Sequence, residues 1–418
     1  MKQEYMESAE RVMTFIKKVE TEIGPRLPAS PEERKGAELI RAEYEKNIGL
    51  KTIDEPFKVA PKSSVGAMPY IGLATLVAFV LFYIYPLAGA IVAFLAFFYA
   101  AVQCITYSNM FDFLWPKKES SNFYTVQEPK SGKADYTVII SAHYDSSWEW
   151  TLQYKNPKTF IPKIAWGTVG TLILVACGIV LTVIGKNQPI WTSISEGFGS
   201  VLQWVALLLP IPFLPGLYFL TQFLNHDKSV ASPGAMDNLT GIGINMEVAK
   251  YYNEHPDMLP DNCRLICAGL GCEESGLKGS SAFVKKHKNE EFFKHLYVVN
   301  LDSISDYDYF EVVTGDPLQF ANYPKDMVDI AYDSLQEAGV VRKTGKIVNP
   351  IGGNDATPFH KAGAKAITIA AQNPIPTDYY HTRKDRTDRL SEEVFAEGIE
   401  VTPVSYTHLR AHETLSDL

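Results

Sequence analysis

Seven histidine and acidic residues lie where β-rich runs of the sequence end or a helical pattern begins. They fall within five short motifs, SAHYDS, GAMDNLTG, GCEESGLKGS, NLDSIS and YYHTRKD. The residues are His143, Asp145, Asp237, Glu273, Glu274, Asp302 and His381. Taken singly, each has an ordinary explanation as a turn residue, a helix cap or a solvated surface residue. Taken together, their imidazole nitrogens and carboxylate oxygens are the donors that suit divalent metals, zinc in particular.

Strands that alternate with helices supply the elements needed to position these residues. The pattern predicts an α/β fold with a mostly parallel central sheet flanked by helices. The predicted strands are Asn122–Val126, Tyr136–Ser141, Arg264–Ala268, Leu296–Leu301, Tyr309–Thr314 and Ala366–Ala370. The predicted helices are Glu7–Ile23, Pro31–Lys46, Leu239–Asn253, Ser280–Lys288 and Asp326–Ala338.

A sheet of this kind collects functional side chains at one edge, beyond the carboxyl ends of its strands. We therefore expect the five acidic residues and two histidines to share one pocket. Carboxylates a few ångströms apart cannot all stay ionised without a positive charge between them. A bound divalent metal would supply that charge.

Apolar residues are concentrated in blocks that are long enough to cross a membrane. No Asp, Glu, Lys or Arg occurs in residues 63–111, 164–185 or 197–226. A spanning helix needs about 20 apolar residues, and these blocks lack the polar face that a helix in a soluble core would keep. The predicted spans lie near Tyr70–Tyr85, Leu87–Ile105, Ile164–Ile184 and Val201–Leu224.

Two hairpins inserted into one soluble domain account for this arrangement, because a hairpin returns the chain to the side it left. The predicted domain is discontinuous and comprises residues 1–67, 109–161 and 227–403. The predicted transmembrane hairpins are residues 68–108 and 162–226.

Lysines are distributed unevenly about the predicted spans. Those on the domain side are Lys58, Lys62, Lys117, Lys118, Lys155, Lys158, Lys163 and Lys228. Lys186 is the single lysine on the opposite side, so the positive-inside rule predicts a cytoplasmic domain in a multi-pass membrane protein. The charged N-terminal residues predict no cleavable signal peptide. The five cysteines are an odd, clustered set, which predicts no disulfide framework.

Composition and charge exclude other classes of function. The net charge is −9 and there is no basic run, so we expect no nucleic-acid partner. The predicted spans carry no charged residues of the kind that line a transport pathway. The sequence leaves the oligomeric state open.

The five motifs, in this order, resemble the double-zinc aminopeptidases, a family that includes glutamate carboxypeptidase and the glutaminyl cyclases. The resemblance implies that Asp237 bridges two Zn²⁺ ions. It implies that His143 and Asp302 complete one zinc site, and that Glu274 and His381 complete the other. Glu273 would be the general base. Asp145 would hydrogen-bond the far nitrogen of His143 and fix its tautomer.

The function that this resemblance implies is a membrane-anchored zinc exopeptidase, most simply an aminopeptidase acting on peptide substrates. Two alternatives remain open. One is a catalytically inactive binding or scaffold module of the same fold, and the other is a glutaminyl cyclase, which uses one zinc ion. The count of bound metal ions distinguishes the three.

The last residues do not continue the helical pattern SEEVFAEGIEV. Residues 404–418, VSYTHLRAHETLSDL, are similar to a translated cloning adaptor. We interpret them as a non-native tail and leave its His408 and His412 out of the site.

Overall fold

The chain folds into two compact units in the computed structural model, which describes residues 3–197, 199–225, 230–375 and 377–402. The sheet unit comprises the described residues up to Pro61, from Pro116 to Glu149, and from Val230 onward. The two intervening stretches form the apolar unit. The tail predicted for residues 404–418 lies outside the described residues.

The strands and α-helices are named in chain order. The strands are β1 (Ile53–Val59), β2 (Lys118–Gln127), β3 (Tyr136–His143), β4 (Cys263–Leu270), β5 (Leu296–Ile304), β6 (Phe310–Val313), β7 (Gly315–Asp316), β8 (Ala321–Asn322), β9 (Lys346–Ile347) and β10 (Lys365–Ala371). The helices are α1 (Gln3–Glu22), α2 (Pro31–Ile48), α3 (Met68–Phe82), α4 (Pro86–Tyr99), α5 (Thr151–Lys155), α6 (Phe160–Val183), α7 (Ile190–Ser195), α8 (Val201–Leu208), α9 (Leu214–Thr221), α10 (Thr240–Glu254), α11 (Lys278–His287), α12 (Lys325–Glu337) and α13 (Ala356–Lys361).

A central sheet organises the sheet unit. Within the described residues it has eight strands in the order β1-β2-β4-β3-β5-β10-β6-β9. The four central strands β4, β3, β5 and β10 are parallel to their neighbours within this group. Strand β2 pairs antiparallel with β4, and β6 pairs antiparallel with β10. The predicted α/β fold class, with a mostly parallel sheet and flanking helices, is therefore confirmed.

The central strands form because their residues are apolar on both faces. Every residue of β3, YTVIISAH, is buried, as expected for a parallel strand covered by helices on both sides. The sequence did not reveal β1, whose residues IDEPFKV include Pro56 and are mostly exposed or half-buried. Such a pattern is typical of an edge strand and lacks the alternation that marks a strand in sequence.

Helix α2 is capped at both ends by local structure. Ser30 is the N-cap of α2, and its side chain accepts a hydrogen bond from the backbone N–H of Glu33. Gly49 ends the same helix with φ of 79°, a left-handed conformation that glycine adopts without a steric penalty. These capping signals explain why the helix predicted at Pro31–Lys46 has nearly the bounds of α2.

The apolar unit contains the predicted membrane-capable helices. Four stretches are long and apolar enough to cross a membrane: Val65–Phe82, Pro86–Ile105, Phe160–Val183 and Val201–Asn225. The fourth is built from α8, a short turn and α9, because Pro210, Pro212 and Pro215 interrupt regular helix there. The prediction of four such helices is confirmed.

Helices α6 and α9 approach each other at two glycines. A Cβ atom on Gly167 would lie 2.6 Å from the backbone oxygen of Gly216. No other residue type fits this contact without separating the helices. Close approach through small residues is the usual way in which membrane helices pack.

We predict that Asn245→Ala destabilises the sheet unit. Asn245 is buried in α10, and its Nδ2 donates hydrogen bonds to the backbone oxygens of Ile140 and Ala268. Loss of a buried side chain that joins a helix to two strands should lower the free energy of unfolding by about 1–3 kcal/mol. Chemical denaturation followed by fluorescence measures this change. The exposed-site control Asn289→Ala should leave the free energy unchanged, and equal stability of both variants would contradict the prediction.

Candidate metal centre

The seven residues predicted from sequence lie at one edge of the central sheet, on strand ends and loops from five separate parts of the chain. His143 is the last residue of β3, and Asp302 lies two residues before the end of β5. Glu273 and Glu274 follow β4 directly. Asp237 and His381 come from the loop before α10 and the loop after β10.

Asp237 lies between the two histidines. Its Oδ1 is 3.0 Å from Nε2 of His143, and its Oδ2 is 3.0 Å from Nε2 of His381. The peptide bond between Asp237 and Asn238 is cis. The two oxygens of one carboxylate thus face two separate imidazoles, which is the arrangement that a bridging ligand requires.

Two groups of donors share this carboxylate. His143, Asp237 and Asp302 form one group, and Asp237, Glu274 and His381 form the other, with the donor atoms of each group within 4.8 Å of one another. Nε2 of His143 lies 4.0 Å from Oδ1 of Asp302, and Nε2 of His381 lies 3.3 Å from Oε1 of Glu274. The structure therefore brings together all five residues that the sequence analysis treated as ligands.

Burial and mutual repulsion perturb the carboxylates of the site. Burial raises the pKa of Asp302 to about 7 and the pKa of Glu274 well above its ordinary value. For Asp237, burial also opposes ionisation, but its contacts with His143 and His381 outweigh burial and hold its pKa below the ordinary range. The protein alone thus cannot keep all of these carboxylates ionised at neutral pH.

The donor set fits two divalent cations. Each group offers one imidazole nitrogen and carboxylate oxygens, the ligand types that suit zinc. Oε1 of Glu274 is buried and, apart from the nearby Nε2 of His381, has no hydrogen-bond partner among the described residues, although a buried polar atom is normally satisfied. A cation in each group would satisfy such an atom and offset the repulsion between the carboxylates.

Asp145 supports the site from behind His143. Its Oδ1 lies 3.5 Å from Nδ1 of His143, the ring nitrogen that points away from Asp237. Its two oxygens also accept hydrogen bonds from the backbone N–H groups of Glu273 and Glu274, at 3.0 and 3.1 Å. One buried carboxylate therefore lies beside an imidazole and also holds the turn that carries two further site residues.

Two supporting residues were missed by the sequence analysis. Asp385 is fully buried and accepts hydrogen bonds from the backbone N–H groups of Met236 and Asp237, at 2.6 and 3.2 Å. The fully buried Arg26 donates to the backbone oxygens of Tyr144 and Gly234, at 2.7 and 2.9 Å. Asp385 belongs to the motif YYHTRKD, so its place in that motif could have indicated a role at the site. No pattern in the sequence distinguishes Arg26 from a surface arginine.

A cavity of about 130 Å³, open to solvent, lies against the donor groups. His143, Asp237, Glu273, Asp302 and His381 all contribute to its wall. Burial raises the pKa of Glu273 well above its ordinary value, and nearby carboxylates including Glu274 add to the rise. A small molecule in this cavity would contact Glu273 and the metal-binding donors at the same time.

Comparisons with known proteins agree with this geometry. Residues 224–402 match the model of Peptidase family M28, which confirms the resemblance inferred from the motifs. The chain is 24% identical over 188 residues to Aminopeptidase YwaD of Bacillus subtilis (strain 168). That match covers 43% of this chain and 38% of the relative, so the chain spans less than half the length of this curated protein.

Solved structures show the same fold at low identity. An aminopeptidase from Aneurinibacillus sp. strain AM-1 superposes with a TM-score of 0.56 at 15% identity, covering 95% of this chain and 93% of that chain. The zinc aminopeptidase BSAP from Bacillus subtilis gives 0.55 at 14% identity, covering 96% and 94%. A glutaminyl cyclase from Porphyromonas gingivalis gives 0.53 at 12% identity, covering 96% and 98%.

We predict that Asp385→Ala weakens metal binding although Asp385 is not among the donors. Removing the acceptor for the N–H groups of Met236 and Asp237 should release the carboxylate that both donor groups share. Loss of such a supporting residue typically costs 10–100-fold in metal affinity, which competition with a fluorescent chelator would measure. The exposed neighbour Asp388 offers the control Asp388→Ala. Equal affinity of the two variants for zinc would show that Asp385 does not position the site.

Proposed function

We propose that this protein is a membrane-anchored, zinc-dependent exopeptidase that removes N-terminal residues from peptides. The observation that carries the proposal is the pair of donor groups that share Asp237 at the edge of the sheet. The match of residues 224–402 to Peptidase family M28 supports hydrolysis of peptide bonds. The similarity to Aminopeptidase YwaD supports removal of N-terminal residues as the narrower class of reaction.

The five donors would hold two Zn²⁺ ions, with Asp237 between them. His143 and Asp302 would complete one site, and Glu274 and His381 the other. When bound, the ions would supply Lewis-acid activation of a water molecule and of the scissile carbonyl. Asp145, which faces Nδ1 of His143, would keep that ring in the tautomer whose Nε2 lone pair points at the metal.

Glu273 would be the residue that moves protons. Its carboxylate lines the cavity beside the donors, while its backbone N–H is held by Asp145. Glu273 accepts a proton from the attacking water and later donates it to the departing amine. A general base fixed in this way contributes about 10²–10⁴-fold to the rate.

The charge of the cavity favours the amino end of a peptide over its carboxyl end. Among the described residues that line the cavity there is no Lys or Arg, so nothing there would neutralise a free α-carboxylate. Several carboxylates line it, including Glu273 and Asp302. These groups attract a free α-ammonium, which supports an aminopeptidase rather than a carboxypeptidase.

The apolar unit supports membrane anchoring, since it contains four helices long and apolar enough to span a bilayer. The lysine distribution supports a cytoplasmic sheet unit, with Lys186 as the single lysine between the two spans of the second hairpin. Peptides in the cytoplasm are then the substrates. The membrane lipid is a structural partner of the helices.

We predict that Glu273→Gln retains the metals and loses catalysis. Hydrolysis of a leucine arylamide should fall by about 10²–10⁴-fold in kcat because the proton acceptor is gone. Zinc content measured by mass spectrometry should stay unchanged, because Glu273 is not in either donor group. The exposed residue Glu393 gives the matched control Glu393→Gln. Full activity of Glu273→Gln would refute the assignment of the base.

We predict two zinc ions per chain and an activity that depends on them. Chelation should abolish arylamide hydrolysis, and added zinc should restore it. One ion per chain together with cyclisation of an N-terminal glutamine peptide would favour a glutaminyl cyclase, whose fold this chain shares. No bound zinc and no hydrolysis would favour a scaffold module and overturn the proposal.

We predict opposite labelling of two engineered cysteines in intact cells. Lys133→Cys in the sheet unit should resist a membrane-impermeant maleimide until the cells are opened, because we place that unit in the cytoplasm. Asn187→Cys, between the spans of the second hairpin, should react in intact cells. The reverse pattern would refute the proposed orientation while leaving the peptidase proposal intact.

A further inference from the structure

Glu311, on β6, is a buried carboxylate that the proposed mechanism does not use. It is 4% exposed and lines the same cavity as the donor groups. Ala370 of β10 pairs with Asp302 on one side and with Glu311 on the other. Asp302, Ala370 and Glu311 therefore form one row across three strands, and strand spacing places the Cα atoms of Asp302 and Glu311 about 10 Å apart.

The carboxylate of Glu311 lacks a positive partner within the described part of the chain. Its Oε2 is buried and has no hydrogen-bond partner among the described residues. Among the described residues, no Lys, Arg or His nitrogen forms an ion pair with it. Burial raises its pKa to about 7, and the nearby Thr344 hydroxyl and Asp306 carboxylate change that value less. A buried carboxylate without a partner is costly, so its retention on a cavity wall indicates that a ligand supplies the partner.

Part of the wall beside Glu311 is apolar. Val313 lies two residues further along β6, and Ile347 pairs with it from β9. Both line the cavity, as does Glu311. The wall therefore matches a ligand that has an aliphatic stem and a positively charged tip.

We infer that Glu311 is a specificity residue that binds the cationic side chain of an N-terminal lysine or arginine. This inference rests on the proposed function, which places the scissile carbonyl at the donor groups. The α-amine is separated from that carbonyl by one carbon atom and therefore stays near Asp302. A lysine side chain, with its flexible four-carbon stem, is long enough to extend from the region of Asp302 on β5 to Glu311 on β6, two strands away. The stem packs on the apolar wall and the ammonium pairs with Glu311.

The test compares arylamides of lysine, arginine, norleucine and glutamate with the full-length protein in detergent, loaded with zinc. Norleucine has the stem of lysine without its charge. Wild type should hydrolyse the lysine substrate with a kcat/KM about 100-fold above that of norleucine, the factor expected when a buried charge gains its partner. Glutamate should be the poorest substrate.

Glu311→Gln should reduce the lysine-to-norleucine ratio of kcat/KM about 100-fold, towards unity. Glu291→Gln, at an exposed site of the same unit, should leave the ratio at its wild-type value. An unchanged ratio in Glu311→Gln would overturn the inference. An equal loss for every substrate would also overturn it, because that result would assign Glu311 to the α-amine.

A binding measurement separates failure of the inference from failure of the proposed function. Isothermal titration of the zinc-loaded wild-type protein should show tighter binding of free lysine than of free norleucine. Glu311→Gln should lose this preference. Preferential binding of lysine without hydrolysis of any arylamide would refute the peptidase and retain the site. Hydrolysis of arylamides without any preference for a cationic residue would refute the Glu311 site and retain the peptidase.

Discussion

The repulsion between carboxylates buried around Asp237 is the constraint on which the site depends. Separate strand ends and loops bring Asp237 close to Asp302 and His143 in one donor group, and close to Glu274 and His381 in the other. The raised pKa values of Glu274 and Asp302 indicate that the protein supplies too little positive charge of its own. The fold therefore holds an arrangement that becomes favourable when cations enter it, and its supporting hydrogen bonds keep the donors in place until then.

Those supporting hydrogen bonds explain how segments that are distant in the chain can position the site residues accurately at one sheet edge. Asp145 holds the turn at Glu273, Asp385 holds the loop at Asp237, and Arg26 ties that loop to the one after β3. Each support is buried, so its hydrogen bonds are protected from competition by water.

The sequence predicted the central strands and the donors because both depend on local signals. Apolar runs such as YTVIIS mark buried parallel strands, and the motifs place His143 and Asp302 at their ends. It could not predict β1, an edge strand with Pro56, nor the role of Arg26, since a lone arginine carries no pattern. Glu311 was missed for a related reason: its partner strand β10 lies far along the chain, and only the register reveals that it shares a row with Asp302.

The order of segments along the chain has a consequence for biosynthesis. All four apolar helices precede Asp237, and His381 and Asp385 come more than a hundred residues after that. A ribosome therefore delivers all four of these apolar segments before it delivers the last candidate metal donor. Under the function proposed above, the nascent chain would be anchored in the membrane before its metal centre is complete.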